Sequence, residues 1–257
     1  MTAILFDLDG VLYENDQPIA GGADTIDWFR EQHIPFLFLT NTTSKPRDAL
    51  VEKLASYGIA SSAGDFLTPP VAARRWLEQN GAKRIGLYVP EVTREEFDGF
   101  EIIEHEGAEI DAVIIGDLGT DWTFDTMNLI FRSLMNNPSA ALVALGMTRY
   151  WRAAGGLQLD VGPMVKAIEY ATGRTALVTG KPAKDFYQSA LKLVDDEDVF
   201  MIGDDIRGDV EAAQQAGLRA ILVRTGKFTE ADLSLGVEPD AVLNSIIDLP
   251  EWWQQNF

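Results

Sequence analysis

No cysteine occurs in the 257 residues, and only two histidines do. The first absence excludes disulfides, thiolate nucleophiles and cysteine zinc sites, and it fits a reducing compartment. His33 and His105 stand in unrelated contexts, so an imidazole-centred metal site is not expected and each reads as a solvent-facing or core residue. Basic residues are also scarce: 21 Lys and Arg stand against 40 Asp and Glu, a formal charge of −19. Nucleic acid, whose phosphates need clustered Lys and Arg, is therefore not an expected partner. No apolar run approaches a membrane span, and no basic segment precedes an apolar run at the N-terminus. The expectation is a soluble, cytoplasmic protein without a membrane partner.

What is present is a hydrophobic content of 46%, too high for a disordered chain. The length suits one large domain or one with an inserted second. Residues 4–12 organise the rest. Ile4, Leu5 and Phe6 read as the end of a buried parallel strand. Asp7 and Asp9 follow one residue apart, and Gly10 lets the backbone turn sharply. Ligands of parallel α/β sheets bind at the carboxyl ends of strands, which would put these carboxylates at the floor of a site. Asp and Gly are equally ordinary turn residues. An EF-hand loop does not fit, because its glycine belongs at the sixth position and Gly10 is the fourth.

Strand and helix patterns then alternate. Helical spacing over 24–32 turns Ile26 and Phe29 inward with Asp24 as cap, and an apolar strand over 34–40 ends at Thr40. A helix carrying Leu50, Val51, Leu54 and Tyr57 on one face follows. Thr68-Pro69 opens another, and 84–89 reads as a third strand. From Pro90 the character changes: 91–110 is strongly acidic and reads as the solvated surface of a second module. Strands over 112–115, 141–145, 199–202 and 220–223 and helices over 124–135, 163–171, 185–193 and 210–216 complete the pattern. Such alternation implies parallel sheets covered by helices on both faces.

Three further features lie at strand or helix ends. Thr40 and Asn41 offer a hydroxyl, an amide and backbone N–H groups suited to phosphate oxygens, or to capping the next helix, although Thr43 or Ser44 is better placed for that. Lys181, between Gly180 and Pro182, is either a point charge for a phosphate or carboxylate or a surface lysine. Asp204 and Asp209 lie five apart after Gly203. Oxygen-only ligands of this kind suit Mg²⁺, although a lone acidic loop is usually solvated surface.

In this order, the motifs resemble those of the haloacid dehalogenase-like phosphatases. Asp7-Leu8-Asp9-Gly10 is similar to their first motif, Thr40-Asn41 to the second and Lys181 to the third. Gly203-Asp204-Asp205 with Asp209 is similar to the fourth. The long insert before Lys181 resembles that of subclass IIA members with a type-2 cap, as do Gly21–Ala23, Gly180–Pro182 and Leu222–Gly226. The stretch Ala144-Leu145-Gly146-Met147-Thr148 departs from the Ala-Thr-Asn-Pro-Asp of many members, which argues against sugar-phosphate or pyridoxal-phosphate specificity. The resemblance implies an α/β fold, a Rossmann-like parallel-sheet core over 1–89 and 178–257 with a smaller α/β cap inserted over 90–177.

It further implies a phosphatase acting on a small phosphorylated metabolite. Asp7 would be the nucleophile that forms an aspartyl-phosphate, Asp9 the general acid and base, and Lys181 a catalytic cation. Leu8, Thr40, Asn41 and Lys181 would bind the phosphate, and Asp7, Asp9, Asp204, Asp205 and Asp209 the Mg²⁺. Asp9 would offer the metal only its backbone carbonyl and keep a proton for the leaving group. Asp205 would act through a metal-bound water or by holding Lys181. Arg149, Tyr150 and Trp151, expected in a loop, would meet the leaving group from the cap or simply pack at its rim. Pyrophosphatase or phosphoamidase activity, and a non-catalytic phosphate-binding protein of the same fold, are the alternatives, and homodimerisation is left open. A dehalogenase fits poorly because those relatives lack the second aspartate, and a mutase would need a second phosphate pocket.

Three ionised aspartates and a dianionic phosphoryl group carry about five negative charges, and like charges ~4 Å apart cost several kcal/mol each at an effective dielectric of about 20. EDTA is therefore expected to abolish phosphatase activity and Mg²⁺ to restore it. Undiminished turnover after exhaustive chelation would contradict the charge count.

Overall fold

The computed structural model describes residues 2–153, 155–196 and 198–257, without the side chains at 151–153. They form two compact units. The chain up to Thr40, residues 47–67 and residues 181–257 make the first; residues 41–46 and 68–180 make the second. No described helix is long and apolar enough to cross a membrane.

The first unit is built on a six-stranded sheet in the order Ala241–Leu243, Arg219–Val223, Asp198–Gly203, Thr2–Asp7, Phe36–Leu39, Phe66–Leu67. Every neighbouring pair is parallel. Successive residues of a strand face opposite sides, and here both sides are buried. Ile4, Phe6, Phe38, Phe200, Ile202 and Ile221 join one core cluster, while their neighbours Leu5, Leu37, Met201 and Leu222 are buried as well. This explains the unbroken apolar runs of the sequence, which parallel sheets covered on both faces require. The outermost strands, Phe66–Leu67 and Ala241–Leu243, are too short to announce themselves by periodicity.

Two helical expectations are corrected here. The helix Gly22–Glu31 starts at Gly21 and not at a capping Asp24, which sits in the first turn, where the helix dipole favours a carboxylate. The regular helix expected over 210–216 is a π-helical turn, Ile206–Glu211, followed by the short helix Ala212–Gln215.

The second unit holds a five-stranded parallel sheet in the order Leu177–Val178, Ala141–Ala144, Ala112–Ile115, Arg84–Tyr88, Glu101–Ile102. Alternate residues again divide between two cores, Val113, Ile115, Leu142 and Ala144 on one side and Ala112, Ile114 and Val143 on the other. Arg84–Tyr88, expected in the first unit, pairs with Ala112–Ile115 and Glu101–Ile102. The helix Pro69–Gln79, capped by the Thr68 side chain, packs Ala73 and Leu77 against Ile85 and Leu87. The division expected at residues 89 and 90 therefore falls at residues 67 and 68. Its physical reason is that an apolar βα repeat reads identically on either side of a division between two parallel sheets.

The acidic stretch is not all solvated: Thr93, Glu96 and Phe97 are buried in the helical turn Glu91–Phe97. Tyr150 and Trp151, expected in a loop, lie in the strand Tyr150–Ala153, which pairs antiparallel with Gly156–Leu159.

The core depends on aromatic packing. Phe6 is fully buried, its ring 5.6 Å from that of Phe29, 5.7 Å from Phe36 and 6.4 Å from Phe38. Phe6→Ala should lower the unfolding free energy by about 3–5 kcal/mol. A denaturant titration showing less than ~1 kcal/mol would mean that the neighbouring rings collapse into the space.

Candidate active site

Strand pairing brings distant segments of the chain to one sheet edge. In the central strand Phe6 pairs with Ile202 and Asp7 with Leu39, while Gly203 pairs with Leu222 one strand further out. Asp7, Thr40 and Asp204 thus emerge together at the carboxyl ends of adjacent parallel strands, where ligands of such sheets bind. The helix Lys184–Val194 follows Lys181, whose peptide to Pro182 is cis.

Asp7, Asp204 and Asp209 each offer a carboxylate oxygen within 4.8 Å of the others. The exposures are 6% for Asp7, 8% for Lys181 and 1% each for Asp204 and Asp209, so water screens little of their repulsion. The Lys181 ammonium lies 2.8 Å from Asp7 Oδ1 and 2.6 Å from Asp209 Oδ1. Burial works against its charge, yet Asp209 and Asp7 outweigh it and hold its pKa well above the usual lysine range. Asp209 Oδ2 accepts the Asp205 N–H at 3.2 Å. Burial first, and then Asp7, raise the Asp209 carboxyl to about 6, against the opposing pull of Lys181.

Asp204 is the least satisfied of the three. Its Oδ2 accepts the Lys227 N–H at 2.6 Å, but Oδ1 is buried with no hydrogen-bond partner among the described residues. Burial raises its pKa from 3.8 to about 7; the Lys227 amide opposes this, and Asp7 and Asp209 add to it. An orphaned buried oxygen is costly. Three oxygen donors facing one another, one of them lacking a partner, fit a hard divalent cation such as Mg²⁺.

Glycine makes room for this carboxylate. A Cβ on Gly10 or on Gly226 would fall 2.0 Å from Asp204 Oδ2, and both residues have positive φ, +86° and +63°. Neither position therefore accepts a side chain.

The remaining sequence candidates are placed differently. Asp9 is exposed, outside the buried triad, and pairs through its backbone with Tyr13. Asp205, expected to act through a metal-bound water or by holding Lys181, caps the π-helical turn. Its Oδ1 accepts from the Arg207 and Gly208 N–H groups at 3.0 and 2.8 Å, and its Oδ2 lies 3.3 Å from Lys227 Nζ. Burial pushes its pKa up, but these partners outweigh it and hold the carboxyl below the usual range. The Leu8 side chain is buried in the core, which leaves only its backbone for a phosphate. The Thr40 N–H donates to Leu67 O at 3.3 Å, so that amide serves the sheet. Asn41, Arg149 and Tyr150 are exposed and belong to the second unit, while the Trp151 side chain lies outside the described residues. Both histidines are exposed.

Tyr187, Thr225 and Lys227 are the participants that residue patterns missed. The buried Tyr187 hydroxyl donates to Gly208 O at 2.8 Å and so steadies the segment carrying Asp209. In the sequence it is one more aromatic on the buried face of an amphipathic helix, which is no signal of a site.

Without a cation, folding favours the protonated Asp204. Its folded pKa of about 7 exceeds the ordinary 3.8, so its contribution to stability is complete below pH 3.8, shrinks as pH rises, and is gone above about 7. Chelated protein should therefore lose melting temperature relative to Mg²⁺-saturated protein, by on the order of 5 °C between about pH 5 and about pH 8. Calorimetric melting curves that run parallel with and without Mg²⁺ across that range would show Asp204 ionised in both.

Known proteins share this arrangement of sequence and fold. A family model described as haloacid dehalogenase-like hydrolase matches residues 4–103, and a second one of the same kind matches 178–249. The phospholysine phosphohistidine inorganic pyrophosphate phosphatase of Bos taurus is 39% identical over 235 residues, covering 89% of this chain and 85% of that one. Haloacid dehalogenase-like hydrolase domain-containing protein 2 of Mus musculus is 36% identical over 234 residues, covering 90% and 87%. The structure of a p-nitrophenyl phosphatase from Archaeoglobus fulgidus superposes with a TM-score of 0.87 at 26% identity, over 97% of this chain and 98% of the other. Identity of this extent over nearly the full length of both partners leaves one assignment, and the chain belongs to the haloacid dehalogenase-like hydrolase family.

Proposed function

We propose that this protein is a Mg²⁺-dependent phosphatase that hydrolyses a small phosphorylated metabolite through an aspartyl-phosphate on Asp7. The observation that carries the reading is the buried Asp7, Asp204 and Asp209 cluster with Lys181 bound to two of its members. Membership of a hydrolase family whose relatives include named phosphatases supports it.

In the first step an Asp7 carboxylate oxygen attacks phosphorus as the bond to the leaving oxygen breaks, and Asp9 gives that oxygen a proton. In the second, water attacks the same phosphorus, Asp9 takes its proton, and the bond to Asp7 breaks to release inorganic phosphate. Asp7 supplies a carboxylate oxygen directly as the nucleophile. Its pairing with Lys181 at 2.8 Å fixes the carboxylate and sets a positive charge beside the transferring group. Asp9, exposed and outside the triad, is free to exchange protons with a leaving group and with water. A cation held by Asp7, Asp204 and Asp209 would neutralise the phosphoryl oxygens and the carboxylates at once.

The name of the first relative favours a second reading of the substrate, in which the bond cleaved is P–N or the P–O–P of pyrophosphate. Rates on p-nitrophenyl phosphate, pyrophosphate and phosphohistidine, measured with one preparation, separate the two.

Asp9→Asn is expected to lower kcat by about 100-fold or more while Mn²⁺ affinity, followed by electron paramagnetic resonance, stays at the wild-type value. Asp204→Asn should lose both. Metal affinity falling as far in the first variant as in the second would overturn the division of roles.

A further inference from the structure

Two segments of the first unit meet at Asp204: the turn after the central strand and the loop after Arg219–Val223. The Thr225 hydroxyl donates to the Gly10 carbonyl across 215 positions of sequence. Gly226 presses against the same turn, so closely that a Cβ there would lie 2.6 Å from Gly10 Cα. One residue on, the Lys227 N–H donates to Asp204 Oδ2 at 2.6 Å, and Asp204 Oδ1 is left buried and without a partner among the described residues. The loop therefore decides which oxygen of Asp204 is engaged and which is left without a partner.

We propose that Thr225 is a positioning residue for the cation: its hydrogen bond to the Gly10 carbonyl holds the Lys227 amide on Asp204 Oδ2 and so presents Oδ1 to the ion. The inference rests on the metal-binding part of the reading above. The work is done by the Lys227 amide and not by its ammonium, which lies over Asp205 at 3.3 Å with the side chain 69% exposed. Outer partners of metal ligands act in this way, by fixing the orientation of the ligand.

The test is Mn²⁺ titration of the metal-free full chain by electron paramagnetic resonance, with circular dichroism to certify folding. Thr225→Val, which removes the hydroxyl at nearly constant volume, should weaken Mn²⁺ binding about tenfold or more. Thr225→Ser, which keeps the hydroxyl, should restore it. Lys227→Met keeps the amide and removes a competing positive charge, so its affinity should equal or exceed that of the wild type. Wild-type affinity in Thr225→Val overturns the proposal, as does equal weakening by Val and Ser. Should Thr225→Val fail to fold, the other two decide: weakening in either overturns it, and retention in both supports it. A wild-type protein that binds Mn²⁺ but hydrolyses no phosphomonoester defeats the phosphatase reading and leaves this one standing.

Discussion

Like charges held close together in a buried place are the constraint on which this molecule turns. Asp7, Asp204 and Asp209 present oxygens within 4.8 Å of one another, and one buried lysine pairs with two of them. Lys181 offsets part of the repulsion, while burial first, and then Asp7 and Asp209, raise the Asp204 carboxyl, one oxygen of which is buried without a partner among the described residues. A fold that tolerates such a cluster stores electrostatic free energy that a divalent cation would release. Preorganised charge of this kind usually does more than any other single effect to stabilise a transition state.

The first unit is shaped to hold that cluster. Its strands are buried on both faces, so their registers cannot slip without turning core residues out to water. Fixed registers fix the heights at which Asp7, Thr40 and Asp204 leave the sheet. Close approach is then permitted by Gly10 and Gly226, which leave space for the Asp204 carboxylate. Hydrogen bonds from Tyr187 and Thr225 and from the Lys227 amide complete the frame. Acidic residues dominate the whole chain, with a formal charge of −19, so attraction of an anionic substrate has to be local.

Much of this is legible in the sequence, and what is not has definite causes. Asp7, Lys181, Asp204 and Asp209 stand out because each follows an apolar run or precedes a helix, the places where a parallel sheet exposes its ends. Asp205 cannot be separated from them by sequence, since an adjacent aspartate of the same motif looks alike whether it holds a metal or caps a turn. Arg84–Tyr88 reads as a strand of either sheet, and only its pairing with Ala112–Ile115 assigns it. Tyr150 and Trp151 read as loop residues because a strand of four residues is too short to announce itself by periodicity.

The sequence by itself determined the alternating α/β pattern, the four inner strands of the first sheet, the lack of any cysteine, and the acidic residues available to a cation. Apolar periodicity and residue type are local properties, so they survive without coordinates. Only the tertiary structure decided which carboxylates meet, which oxygen of Asp204 lacks a partner, and which sheet claims Arg84–Tyr88. It alone brought Thr225 to the Gly10 turn and Lys227 to the Asp204 carboxylate. These are relations between residues far apart in the chain, set by strand order and register, and no local pattern encodes them.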